Sequence, residues 1–147
     1  QVGTQRAIAD DGRVLGTLGF MAPEQARGKV HEIDERTDVF AMGGMLYRMM
    51  TGLAPYMAPT QEDTWALAKT GVVTPPQEVL DAKARTKGQA KGFLLPPRLC
   101  EIAMKAMQPE KKDRYPNVAE LQKDLDDFIH GAGRYPTQEF ADGALII

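Results

Sequence analysis

The sequence predicts a mainly α-helical domain. Apolar residues recur at helical spacing in three stretches, at residues 37–51, about 97–107 and about 117–129, which is the pattern of helices that bury one face. No alternation of apolar and polar residues, which would indicate strands, occurs before the last few residues. The composition agrees, because 43% apolar and 26% charged residues in a chain of 147 are typical of one soluble globular domain.

The charge and the cysteine content exclude several classes of protein. A formal net charge of -2 gives no reason to expect a nucleic acid or an anionic membrane as partner. The single cysteine, Cys100, excludes an internal disulfide, fits the reducing cytoplasm and is expected to be a small buried side chain. With two histidines there is no set of zinc ligands. No apolar run approaches the roughly 18–20 residues of a membrane-spanning helix, so we expect no membrane segment in this chain.

The N-terminal part is predicted to be an extended loop. Residues 1–20 are rich in glycine and polar residues and show no sustained period. Pro23 and Glu24 then favour the start of a short helix, because proline is tolerated and an acid is favoured in a first turn.

The stretch 37–51 is predicted to be a central helix. Thr37 or Asp38 can cap its N-terminus, and Gly52 follows its end. Apolar side chains lie nearly all the way round it, which places the helix in the middle of a core. These side chains are Val39, Phe40, Met42, Met45, Leu46, Met49 and Met50. The pair Gly43–Gly44 is costly inside a helix, so another element is expected to pack closely there.

Two segments follow the central helix. Residues 61–70 are predicted to form a short amphipathic helix carrying Trp65, which either packs on the domain or is an exposed anchor for a partner. Residues 71–96 contain three prolines and are predicted to be an irregular connection. Their basic cluster is interpreted either as a solvated loop or as a docking patch for an acidic partner. The cluster consists of Lys83, Arg85, Lys87 and Lys91.

Two further helices are predicted near the C-terminus. One runs at about 97–107. The last begins at Asn117, with Glu120 three residues later as in a capping box, and it ends at Gly131.

Three motifs make the sequence recognisable. Residues 16–28, GTLGFMAPEQARG, contain an Ala-Pro-Glu element. Residues 36–52 contain the predicted central helix, and residues 102–116 end in Asp-Arg-Tyr-Pro. In this order and spacing they resemble the end of the activation segment, the F helix, and the H helix with its following turn in eukaryotic-type bacterial Ser/Thr protein kinases. The resemblance covers about residues 1–131 and implies a truncated C-terminal lobe of the protein-kinase fold, from the activation segment through helices EF, F, G, H and I.

The resemblance implies structural roles for five residues. Glu24 and Arg114 would form a buried ion pair that ties the activation segment to the turn before the last helix. Asp38 would accept hydrogen bonds from the backbone of the catalytic loop, with a plain helix cap as the alternative. Met45 and Met49, which share a helix face, would support the floor of the adenine site or simply belong to the core.

The resemblance also assigns the substrate contacts. Thr17 would meet the catalytic aspartate of a Ser/Thr kinase, and Leu18, Gly19 and Phe20 would line the pocket for the residue after the phosphoacceptor. A buried turn is the alternative. Thr4 is the candidate for activating phosphorylation.

The implied parent is an enzyme that transfers the γ-phosphate of ATP, with Mg²⁺, to Ser or Thr hydroxyls of protein substrates. The Gly-rich loop, the strand lysine and the catalytic and metal-binding aspartates do not occur in this sequence. We therefore expect no catalytic residue, no metal site and no activity in this chain alone. The N-lobe and the catalytic loop would precede Gln1. The alternative is a pseudokinase-like protein-interaction module, and the residues upstream of Gln1 would decide between the two.

Three further expectations concern partners. Arg48 stands where relatives often carry a glutamate that contacts a basic substrate side chain, which argues against a preference for basic substrates. If nothing covers Met42, Met45 and Met49, the chain is expected to self-associate. Residues 132–147 are interpreted as a linker followed either by an ordinary strand or by the first strand of a β-rich cyclic-nucleotide-binding domain, which would make a cyclic nucleotide a ligand of the parent.

Overall fold

A computed structural model describes residues 18–131. Within this range the chain forms α-helices and two short 3-10 helices and contains no strand, which confirms the mainly α-helical fold. The α-helices are α1 (Pro23–Ala26), α2 (Glu35–Thr51), α3 (Gln61–Thr70), α4 (Pro76–Thr86), α5 (Pro97–Ala106) and α6 (Val118–Ile129), and the 3-10 helices are Val30–Glu32 and Lys111–Asp113. The expectations for Thr4, Thr17 and residues 132–147 fall outside the described residues.

Helix α2 lies at the centre and packs against α4, α5 and α6, while α1 packs against α3. The glycine pair of α2 allows other elements to approach this helix closely, as predicted. A Cβ atom on Gly43 would lie 2.7 Å from the Cβ of Ala106, and one on Gly44 would lie 2.9 Å from Cδ1 of Phe20. Both distances are shorter than any ordinary carbon–carbon contact, so larger residues would force α5 or Phe20 away from α2.

The N-terminus of α2 differs from the prediction. Its cap is Asp34, whose carboxylate accepts a hydrogen bond of 2.8 Å from the Arg36 amide, so the expectation that Thr37 or Asp38 caps the helix was wrong. The reason is that Thr37 is buried in the first turn and its hydroxyl accepts from the Asp34 amide at 3.2 Å. Gly52 ends the helix with φ of 74°, as predicted.

The stretch 71–96 is not irregular throughout, because it contains α4. Pro75 and Pro76 suggested a break in the chain, but Pro76 is the first residue of the helix. Proline suits this position, since its fixed φ is helical and the missing N–H would have no partner there. The prediction of an irregular connection was therefore wrong over Pro76–Thr86.

The other predicted helices agree with the structure. Helix α3 has the predicted bounds, and α5 ends one residue earlier than expected. Asn117 caps α6 by accepting a hydrogen bond of 2.9 Å from the Glu120 amide. No helix in the part of the chain that the structure describes is long and apolar enough to cross a membrane.

Trp65 packs on the domain instead of standing free as an anchor. Its indole Nε1 donates a hydrogen bond of 2.6 Å to the carbonyl of Ala26, and its ring packs against the main core cluster. Cys100 is half-buried rather than fully buried, with its sulfur 4.0 Å from Sδ of Met50, and burial raises the pKa of its thiol.

Candidate functional site

The site is built around the segment Leu18–Phe20, which lies against the C-terminal half of α2. Leu18 and Gly19 are buried, and the carbonyl of Gly19 accepts a hydrogen bond of 3.2 Å from the Tyr56 amide. Phe20 is half-buried next to Gly44. The segment is therefore fixed from two sides, by α2 and by the turn that contains Tyr56.

Four residues behind this segment, Glu24 forms a bidentate ion pair with Arg114. Nη1 and Nη2 of Arg114 lie 2.8 and 3.0 Å from the two carboxylate oxygens. The other N–H groups of the guanidinium donate to the carbonyls of Arg36, Gln108 and Pro109, so every donor of the side chain has an acceptor. Each of the two paired residues exposes 3% of its surface.

The surroundings of Glu24 keep its carboxylate charged. Burial has the largest single effect and raises the pKa of Glu24. The hydrogen bond from Arg114, a backbone hydrogen bond, the charge of Arg114 and the hydroxyl of Thr37 each lower this pKa, and together they outweigh burial. The net result is a pKa below the ordinary 4.5. A charged pair in a buried position is stable only when its remaining polar atoms are also bonded, and this arrangement meets that requirement. The pair joins the residues after Phe20 to the turn before α6.

An exposed apolar face of α2 lies beside the Leu18–Phe20 segment. Met45 is 57% exposed and Met49 81% exposed. Together with Phe20 and Arg48 they line a shallow depression of about 480 Å³. Arg48 also lines a neighbouring depression of about 340 Å³ with Tyr56 and other residues, so this residue borders both depressions.

Asp38 lies on the first half of α2 and is exposed. Its carboxylate has no hydrogen-bond partner among residues 18–131, so it does not act as the cap of α2. It is free to accept hydrogen bonds from another element.

The structure also contains contacts that sequence reasoning missed. Lys83, from the basic cluster, donates a hydrogen bond of 2.6 Å to the carbonyl of Thr51 at the end of α2, where a cation is favoured by the helix dipole. Thr37 donates to Glu24 Oε1 at 2.9 Å. Neither contact has a local sequence signal, because the partners are 32 and 13 residues apart in the chain.

Comparison with known proteins decides the family. No protein-family model matches the chain. The serine/threonine-protein kinase PknD of Chlamydia trachomatis is 33% identical over 120 residues, which cover 82% of this chain and 11% of the relative. The tyrosine-protein kinase MasK of Myxococcus xanthus is 33% identical over 136 residues, or 90% of this chain and 19% of the relative. The chain belongs to the eukaryotic-type protein kinases.

The fold of this kinase chain matches a solved kinase domain as well. The autoinhibited serine kinase domain of the giant muscle protein titin aligns with a TM-score of 0.58 and 17% identity, over 82% of this chain and 33% of that domain. The helices of residues 18–131 are those of the C-terminal kinase lobe. The chain spans only 11% and 19% of the length of the two curated kinases named above.

Proposed function

We propose that the kinase containing this chain transfers the γ-phosphate of ATP to Ser or Thr hydroxyls of proteins, and that residues 18–131 supply its substrate platform and structural base. The observation that carries the proposal is the buried Glu24–Arg114 pair, which ties the residues after Phe20 to the turn before α6. The Leu18–Phe20 segment that precedes Glu24 is itself held by α2 and by the turn that contains Tyr56. Phosphoryl transfer depends mainly on positioning, and a fixed segment beside an open face is suited to hold a substrate.

The proposal assigns a role to each of the site residues. Phe20 offers an apolar contact for the substrate residue that follows the phosphoacceptor, while Leu18 and Gly19 shape the backbone beneath it. Asp38 accepts hydrogen bonds from the catalytic loop. Met45 and Met49 support the floor of the adenine site. The parts of the kinase that complete the adenine site cover these two side chains.

We propose that neither ATP nor Mg²⁺ is held by the described part of the chain alone. Residues 18–131 contain no group of three or more His, Cys, Asp or Glu side chains placed to bind a metal ion. We propose that both are bound by the Gly-rich loop, the lysine and the aspartates that precede the activation segment in this family. The single cysteine is the observation that supports action of the enzyme in the reducing cytoplasm.

A phosphoryl-transfer assay on the full gene product tests the proposal. With γ-labelled ATP, Mg²⁺ and a general protein substrate, we expect label on Ser and Thr after acid hydrolysis, and none when the 147-residue chain is used alone. Arg114→Ala should lower incorporation strongly, whereas Lys29→Ala, which removes an exposed pair with Glu32, should not. Label on Tyr alone, or no label from a folded gene product, would contradict the proposal.

Arg48 extends the proposal to substrate preference. Its exposed cation lies next to Phe20, and a cation attracts acidic side chains and repels basic ones. We expect peptides with an acidic residue near the phosphoacceptor to be preferred, and Arg48→Glu to reverse the preference in a positional peptide library. Unchanged preference in that variant would contradict a role for Arg48.

One argument for the alternative, a pseudokinase-like interaction module, does not agree with the structure. It rested in part on Trp65 as an exposed anchor, and Trp65 packs against the core and bonds to Ala26. The assay above separates the two functions, because a folded gene product without phosphoryl transfer would favour the interaction module.

A further inference from the structure

The loop between α4 and α5, residues 88–95, is fastened to α4 by side chains. The amide of Gln77 spans the loop, since its Oε1 accepts from the Leu95 amide at 2.9 Å and its Nε2 donates to the Phe93 carbonyl at 3.0 Å. The carboxylate of Asp81 accepts from the Gly92 amide at 2.9 Å. Hydrogen bonds to both ends of the segment hold residues 92–95 in one conformation.

The approach of the loop to α4 leaves no room for a side chain at Gly92. A Cβ atom there would lie 2.5 Å from the carbonyl carbon and oxygen of Leu80, which are backbone atoms and cannot easily move. The conformation is therefore specified by a glycine and by two polar side chains.

This fastened loop points two large apolar side chains into solvent. Phe93 is 78% exposed and Leu94 is 69% exposed, whereas the next residue, Leu95, is only 6% exposed. Scattered apolar side chains are common on protein surfaces. Two adjacent ones on a loop held by several specific hydrogen bonds form an apolar surface that is open to a partner.

The sequence on both sides of the pair is rich in basic residues. Residues 82–100 contain five basic residues and no acidic residue, in a chain whose net charge is -2. Two of the five are used inside the domain, since Lys83 bonds to Thr51 and Arg98 pairs with Glu101 and Asp124. The other three are exposed and have no carboxylate within ion-pair distance in the described part of the chain. They are Arg85, Lys87 and Lys91.

Two of these cations are placed near the loop by the backbone, since Arg85 follows Asp81 by one turn of α4 and Lys91 directly precedes Gly92, whose amide bonds to Asp81. The pKa of Asp81 is lowered first by the hydrogen bond from Gly92, then by that from Gln77, and also by the charges of Arg85 and Lys91. Arg85 and Lys91 therefore lie near Asp81, whose carboxylate is occupied by the loop backbone.

We propose that Phe93 and Leu94, with Arg85, Lys87 and Lys91, form a docking surface for an acidic segment of a partner protein that also carries apolar side chains. Charge complementarity selects the acidic partner, and the apolar pair supplies the area to bury. A nucleic acid is disfavoured because the whole chain is net negative. The proposal does not depend on phosphoryl transfer.

Peptide binding to the full chain tests this surface. The probe is a fluorescein-labelled peptide with the repeat Glu-Leu-Asp-Phe, measured by fluorescence anisotropy. One control peptide has Lys in place of the acids, and another has Ser in place of the apolar residues. We expect the first peptide to bind more tightly than both controls and to bind more weakly as salt is raised.

Two double variants and two matched controls locate the binding. Phe93→Ser with Leu94→Ser, and Lys87→Glu with Lys91→Glu, should each weaken binding about tenfold or more. Val72→Ser and Lys123→Glu change side chains of the same kinds that are also exposed, and they should leave binding unchanged. All four changes are at the surface, so the thermal unfolding followed by circular dichroism should stay the same.

Several results would overturn the proposal. Equal binding of the three peptides, or undiminished binding by both double variants, would show that the surface does not recognise an acidic apolar segment. Tighter binding of a single-stranded oligonucleotide or of phosphatidylserine vesicles would assign it to another kind of partner. Loss of self-association in the Phe93 and Leu94 double variant would show that a second copy of the chain covers it.

Discussion

The hydroxyl of Thr37 donates a hydrogen bond of 2.9 Å to Oε1 of Glu24, the oxygen that Nη1 of Arg114 binds at 2.8 Å. The same hydroxyl accepts from the Asp34 amide at the start of α2. One buried side chain thus links the cap of the central helix to the ion pair that joins the residues after Phe20 to the turn before α6. Disturbing any member of this network should change both the stability of the lobe and the position of the Leu18–Phe20 segment.

Arg114→Ala should lower the free energy of unfolding by about 3–5 kcal/mol, because it leaves the carboxylate of Glu24 buried without its partner. Lys29→Ala removes an exposed pair and should cost less than about 1 kcal/mol. Urea unfolding followed by circular dichroism measures both. Similar losses in the two variants would show that burial of the Glu24–Arg114 pair does not matter energetically.

Thr37→Val should lower the free energy of unfolding by about 1–3 kcal/mol, because the shape is kept while one buried hydrogen bond of Glu24 is lost. Thr37→Ser keeps the hydroxyl and is the matched control. If the Ser variant were the less stable of the two in urea unfolding, the methyl group of Thr37, and not its hydroxyl, would be the stabilising part.

The stability of the lobe should fall in acid partly because of Glu24. Its pKa in the folded chain lies below the ordinary 4.5. A carboxyl group of this kind stabilises the fold above its unfolded pKa, and this contribution is lost as the pH falls through the folded value. The free energy of unfolding of the native chain should therefore decrease as the pH falls below about 4.5, the ordinary pKa of a glutamate, and that of Glu24→Gln should decrease less. Parallel pH profiles for the two proteins would exclude this contribution.

Gly43→Ala should destabilise the lobe by roughly 1–3 kcal/mol, because the added methyl group would overlap Ala106 and the core would be overpacked. In an open helix position the same change is expected to stabilise by about 0.5–1 kcal/mol. Gly44→Ala meets the end of the Phe20 ring instead and should cost less, since a ring can move more easily than a helix. Thermal unfolding of the two variants gives the comparison, and a more stable Gly43 variant would contradict the close packing of α2 on α5.

The exposed face of α2 should cause self-association of the chain. Met45→Glu with Met49→Glu should reduce the sedimenting mass to that of a monomer and lower the fluorescence of the dye ANS, because two exposed apolar side chains are replaced. Met57→Glu is the control, since Met57 is 61% exposed on another part of the surface. A native chain that is already monomeric and does not bind ANS would disprove this expectation.

Much of the fold was predictable because the signals for it are local. Asn117 and Glu120 mark the start of α6, and Gly52 marks the end of α2, through contacts within one helical turn. The start of α2 and the helix α4 were not predicted. In both cases a residue that suits a helix terminus was assigned the wrong position or role: Thr37 as a cap, and Pro76 as a breaker.

The sequence by itself determined the helical class, most helix bounds and, through the order of its motifs, the kinase family. It also brought Glu24 and Arg114 together as a predicted pair, but only through the family resemblance. The tertiary structure alone decided that Thr37 shares the carboxylate of Glu24, that Lys83 binds the end of α2 and that Gln77 fastens the loop carrying Phe93. The physical reason is that periodicity and caps act between neighbours in the chain, whereas these hydrogen bonds join residues that only the packing of α1, α2, α4 and the loop after α4 brings within reach.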